Sequence, residues 1–128
     1  MFTIDLMSRT PVYEQIVKQT ENLILMGVLK PGDKMPSVRS LSLGLSVNPN
    51  TIQKAYTQLD MRKIIHTVPG KGSYVSEHAE EIIGKHSREK LEGLSSVLRE
   101  LALAGVEKSE ILTVVDEIFN KEHTGRGE

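Results

Sequence analysis

The sequence has no cysteine and no tryptophan, and its 128 residues hold only five aromatic side chains: Phe2, Tyr13, Tyr56, Tyr74 and Phe119. Without thiols there are no disulfides, thiolate zinc sites, iron–sulfur clusters or cysteine nucleophiles. So few aromatics exclude a broad stacking surface for single-stranded nucleic acid. No apolar run approaches the roughly 18 residues that cross a bilayer. Met1 to Arg9 lacks the basic start and apolar middle of a signal peptide, so a cytoplasmic location with no membrane partner is expected. The length excludes a large two-domain enzyme and fits one ordinary domain or a small core with an appendage. Composition (38% hydrophobic, 26% charged) is that of an aliphatic-cored globular chain.

Groups able to carry catalysis are equally scarce. His66, His78, His86 and His123 are scattered without an HxxxH spacing or other ligand cluster, so no metal and no cofactor are expected. There is no phosphate loop, because the glycine-rich stretch Pro69-Gly70-Lys71-Gly72 lies between strand-like segments and not before a helix. No Ser/His/Asp arrangement or carboxylate pair stands out, and the chain reads as a binding protein, not an enzyme.

What is present is a lopsided charge. The formal net charge of −1 conceals nine Lys/Arg against five acids up to Tyr74, and seven against twelve after it. Between Lys30 and Tyr74 seven basic residues face two acids, the local excess expected of a surface that meets phosphates.

The apolar periodicity orders this basic region. Pro11 reads as a first helical residue with Thr10 as its cap, and Tyr13, Ile16, Val17, Thr20, Leu23 and Ile24 keep helical spacing up to a stop at Gly27. The stretch from Gly27 to Pro36 reads as a loop. Ser37 caps a short helix with Val38, Leu41 and Leu45 on one side. Asn48 as cap and Pro49 as first residue open another helix, with Ile52, Ala55, Tyr56 and Leu59 on its apolar face. Asn50, Thr51, Gln53, Lys54 and Thr57 occupy the polar face. A short helix, a tight turn and a helix opening with hydrogen-bonding side chains make a helix-turn-helix, whose second helix enters the major groove of DNA. Ile64 to Val68 and Ser73 to Val75 then read as a hairpin with a basic, glycine-rich tip, and Phe2 to Leu6 as a third strand.

Beyond Ser76 the pattern is helical. Glu77 to about Leu103 reads as one long helix carrying Leu91, Leu94, Leu98 and Leu101 at steps of 3, 4 and 3. After Gly105, a last helix from Ser109 to about Lys121 carries Ile111, Leu112, Val115, Ile118 and Phe119, followed by a frayed polar tail from Glu122. The leucine seam alone suits an intramolecular core and a dimer interface equally.

Four stretches in order, Pro11-Val-Tyr-Glu-Gln-Ile16, Leu29-Lys-Pro-Gly-Asp-Lys-Met-Pro-Ser-Val-Arg39, Val47-Asn-Pro-Asn-Thr-Ile-Gln-Lys-Ala-Tyr56 and Gly70-Lys-Gly-Ser-Tyr-Val75, resemble the winged helix-turn-helix of GntR-family bacterial transcription regulators. The short helical remainder resembles that of the YtrA subfamily. The resemblance implies an α+β, mostly helical fold, with a DNA-binding domain at 1–76 and a two-helix dimerisation module at 77–128. It implies a homodimeric regulator of double-stranded DNA, a repressor in the first instance, with any small-molecule effector unidentified. By position it implicates Ser37, Arg39, Asn48, Asn50, Thr51, Gln53, Gly70 and Lys71 at the operator. It turns the leucine seam, with Ile111, Val115 and Ile118, into a dimer interface.

Chemistry divides these roles. Asn50 and Gln53 suit adenine, Lys54 and Lys71 suit phosphate, and Asn48 suits a cap better than a base. Tyr56 belongs to the apolar face, its hydroxyl within reach of the DNA backbone. The chain departs from the family pattern at Pro49 and Gln53, where many relatives carry Arg, and at Ser46 and Lys63, where Gly is common; either Lys63 adopts a strained cap or the helix ends differently. The alternative reading is a winged-helix interaction module without specific DNA binding, against which the basic segment argues.

Overall fold

The computed structural model describes residues 1–125, with side chains as far as Lys121. The chain divides into two compact units, Met1–Lys85 and His86–Glu128. Helices α1 (Val12–Leu25), α2 (Val38–Leu45) and α3 (Pro49–Met61) are followed by strands β1 (Ile65–Val68) and β2 (Gly72–Val75), then by helices α4 (Ala79–Glu89), α5 (Leu91–Leu103) and α6 (Lys108–Gly125).

The first unit is built on the apolar stripes expected of it. Ile16, Val17 and Ile24 of α1 meet Ile52, Ala55, Tyr56 and Leu59 of α3, with Ile64, Ile65 and Val75 of the hairpin closing the same cluster. Ala79 and Ile83 of α4 are fully buried in it too, so this unit runs on to Lys85, past the boundary expected after Ser76. Arg62 Nη2 meets the buried Glu21 Oε2 at 3.4 Å and ties the end of α3 to α1.

One backbone device ends α1, α2, α3 and α5. A residue with positive φ follows each last turn, and the amide after it bonds back five residues: Val28 N to Leu23 O, Val47 N to Ser42 O, Ile64 N to Leu59 O and Val106 N to Leu101 O (2.9–3.1 Å). Gly27 and Gly105 fill this position without strain, whereas Ser46 (φ 55°) and Lys63 (φ 63°) hold it with a side chain. Of the two alternatives at Lys63, the strained cap is the one present.

Several expectations need correction. Helix α1 starts at Val12, with Pro11 in the cap position at ψ 148°, an extended value that keeps it out of the first turn; Thr10 contributes its carbonyl, which accepts from Gln15 Nε2 (2.9 Å). Phe2 to Leu6 is not a strand. Its backbone is held by glutamines of α1: Gln19 bonds both the N–H and the carbonyl of Thr3, and Gln15 does the same at Asp5. Side-chain amides one helical turn apart thus match alternate residues of an extended chain. The strand-like third element lies elsewhere, where Lys34 pairs with Tyr74 and Met35 N donates to Ser73 O (2.8 Å).

The helix expected over Glu77–Leu103 begins at Ala79 and is interrupted at Lys90, whose N–H reaches back to Ser87 O (3.1 Å) in a tightened turn. Helix α6 starts one residue before Ser109 and runs to Gly125; the rest of the expected tail lies outside the described residues.

Candidate nucleic-acid interface

The site rests on two caps. Ser37 Oγ accepts from Ser40 N (3.0 Å) to open α2, and Asn48 Oδ1 accepts from Asn50 N (2.8 Å) to open α3, with Pro49 next. Between them the chain turns through Ser46 and Val47, and Ser42 Oγ donates to Val47 O. The cap fixes where α3 begins, and its buried stripe fixes which face it shows. With Ile52, Ala55, Tyr56 and Leu59 inward, Asn50, Gln53, Lys54 and Thr57 are exposed and Thr51 is half-buried.

The hairpin supplies the other wall. In the tip, Lys71 N donates to Val68 O (2.9 Å) around Pro69 and Gly70, and Gly70 has φ 78°, the arrangement of a type II turn that wants glycine at its third residue. Thr67 Oγ1 donates to Asp60 Oδ2 (2.9 Å) and meets Ser73 Oγ at 3.1 Å, linking α3 to both strands. His66 and Tyr74, paired across the strands, stack with centroids 5.9 Å apart.

Tyr56 completes the frame. Its ring is buried, as its place on the apolar face implies, and its hydroxyl donates to Pro36 O at 2.6 Å, joining α3 to the loop before α2 and not reaching towards DNA. Burial raises its pKa well above the ordinary tyrosine value.

Between these elements lies an open groove of about 400 Å³. Of the residues expected at DNA, it brings together Ser37, Gln53, Gly70 and Lys71. Gln53 Nε2 donates to Thr57 Oγ1 (3.3 Å) one turn along the exposed face. Arg39, Asn48, Asn50, Thr51 and Lys54 do not line the groove; Arg39 lies exposed on α2 and the others at or near the start of α3. Lys54 Nζ sits 4.0 Å above the Tyr13 ring, a cation–π contact that holds it against α1. Tyr13 donates to Glu14 Oε1 (3.1 Å), and that bond holds its pKa above the usual value.

Sequence reasoning missed Lys34, which lines the groove beside Lys71. The available signal was its place in the basic segment. The pairing with Tyr74 that puts it there is a single bridge, too short to leave an alternating pattern.

In the second unit, no residue of α5 is buried. Leu91, Leu94 and Ile118 are 61%, 50% and 53% exposed, Leu101 and Val115 are also exposed, and Leu98 and Ile111 are half-buried. Among the described residues no three His, Cys, Asp or Glu side chains could hold a metal, and no helix is long and apolar enough to cross a membrane.

Comparison with known proteins places this geometry. The sequence model of the family described as "Bacterial regulatory proteins, gntR family" matches residues 12–75. The chain is 43% identical over 120 residues to the HTH-type transcriptional repressor YtrA of Bacillus subtilis (strain 168), covering 92% of each. Among solved structures, one titled as a transcriptional antiterminator from Listeria monocytogenes EGD-e superposes with a TM-score of 0.77 at 36% identity, covering 92% of this chain and 89% of that one. The DNA-binding domain of AraR in complex with operator ORX1 superposes with a TM-score of 0.52 at 27% identity, covering 57% of this chain and 90% of that one.

Proposed function

The chain belongs to the GntR family of transcription regulators, DNA-binding proteins and not enzymes, and from that premise we propose that it is a repressor acting as a homodimer on a palindromic operator. The observation that carries the DNA half of this reading is the groove itself. Recognition helix, hairpin tip and the start of α2 meet around one concave, lysine-bearing surface, and a DNA backbone lying in it would bring the exposed start of α3 to base edges. Ser37, Arg39, Gly70, Lys54 and Lys71 hold the backbone in this reading, and Asn50, Thr51 and Gln53 read bases, while Asn48 remains a cap.

Pairing rests on the second unit. Leu91, Leu94, Leu98 and Leu101 with Ile111, Val115 and Ile118 form an apolar set of which this unit buries no member fully. A second copy supplies the missing surface and, with it, a second recognition helix for the other half-site. The 92% mutual coverage with a protein named as a repressor supports repression over activation. A small-molecule effector would have its seat in the hollow of about 350 Å³ bounded by Lys63, Ile65, His66, His78 and Ile82, which adjoins the end of α3 and β1.

Selection of the purified chain against a random duplex library at about 150 mM salt tests the reading, since nonspecific binding is already weak there. Enrichment of a palindrome is expected. Binding that vanishes with salt and enriches no sequence would replace it with an interaction module.

A further inference from the structure

We propose that Lys34 is a DNA-phosphate contact, positioned by the hairpin so that its charge and that of Lys71 hold one stretch of operator backbone in the groove. This rests on the groove receiving DNA, as above, and gives a role to a residue that lies within the Leu29–Arg39 stretch but was assigned none there.

Three observations carry it. Lys34 and Lys71 both line the groove, one on the segment beneath the hairpin and one at its tip. The backbone of Lys34 is not free: it bridges Tyr74, flanked by bonds from Met35 N to Ser73 O and from Val75 N to Asp33 O (both 2.8 Å), so it moves with the hairpin. Its side chain is laid across Gly72, where an added Cβ would stand 3.0 Å from Lys34 Cε and 3.8 Å from Nζ. Gly72 therefore leaves room for the lysine stem, and its φ of 118° independently requires glycine. Neither lysine makes an ion pair among the described residues, which leaves both charges to an external anion. A lysine so placed is a point charge that fixes register and carries no base preference.

Lys34→Met tests this, because it keeps the stem over Gly72 and deletes only the charge. Affinity of the full chain for the palindromic duplex enriched above would be measured by fluorescence anisotropy between 50 and 200 mM salt. Losing one phosphate contact should lower the slope of log K against log salt by about 0.9 and weaken binding about 8-fold near 100 mM, with base preference unchanged. Lys34→Arg should restore the slope. An unchanged slope in Lys34→Met, whether or not affinity falls, would overturn the proposal, most pointedly if Lys71→Met lowers it. Wild-type protein that binds no duplex specifically would overturn both this and the functional reading.

Discussion

The first unit buries Ile16, Ile52, Leu59, Ile64, Ile83 and their neighbours in one cluster, while the second carries a comparable density of leucine, isoleucine and valine and buries none of it fully. Both are amphipathic by sequence. The difference is that α1, α3, the hairpin and α4 present their apolar faces to one another, whereas two successive helices of about four turns cannot enclose a core by themselves. One unit therefore has a core of its own, and the other leaves an apolar face that the proposed pairing would cover. In the proposed reading, contact with each half-site depends on the first unit, and the gain in affinity from engaging two half-sites at once depends on the second.

The sharpest way to break this comparison is Leu98→Asp. Each copy would place an unpaired carboxylate in the proposed seam, at about 3 kcal/mol or more per copy. Monomer by sedimentation and at least 100-fold weaker operator binding are expected, with the thermal transition of the first unit unmoved. A variant that stays dimeric would show that the apolar set is not where the copies meet. Ile52→Ala is the converse. Removing a fully buried side chain should destabilise the first unit by about 2–5 kcal/mol in urea, independently of protein concentration, whereas unfolding of a paired second unit should shift with concentration.

The same contrast explains what could be read in advance. The caps at Ser37 and Asn48, the apolar stripes and the glycine-bearing tip are local signals, and the structure has all of them where spacing put them. Elements that depend on a distant partner were not legible. Phe2 to Leu6 alternates like a strand but is met by Gln15 and Gln19, and Lys34 joins β2 through a bridge that leaves no periodicity. At the site, Ser37, Gln53, Gly70 and Lys71 share the groove, but the engagement of Lys54 with Tyr13 and of Tyr56 with Pro36 depends on contacts that no spacing encodes.

Tyr56→Phe sharpens the comparison within the first unit. It removes the bond to Pro36 O, should lower stability by about 1 kcal/mol, and should loosen the groove wall without affecting pairing. Because burial raises the folded pKa, the stabilisation from the neutral hydroxyl is complete below about pH 10, the unfolded value, and is lost as pH rises towards the folded one. Wild type should therefore lose stability above pH 10 more steeply than Tyr56→Phe, as followed by chemical denaturation across that range. Parallel curves would mean that the hydroxyl is not held as described.

The smallest effect tests the finest detail, the shared helix ending. At Lys63 a Cβ occupies the left-handed region, where it costs about 1–2 kcal/mol, while glycine there would forfeit about 0.5–1 kcal/mol of extra chain entropy. Lys63→Gly should therefore stabilise the first unit by about 0.5–1 kcal/mol, and Ser46→Gly should act in the same direction. Neither should alter dimer dissociation, since both positions lie in the unit with its own core. Lys63 also borders the hollow lined by His66 and His78. If Lys63→Gly is more stable but binds operator as wild type does, the strain is incidental to DNA binding; if stability rises while operator affinity falls, the lysine at this helix end contributes to binding through its charge or through the geometry it imposes on β1.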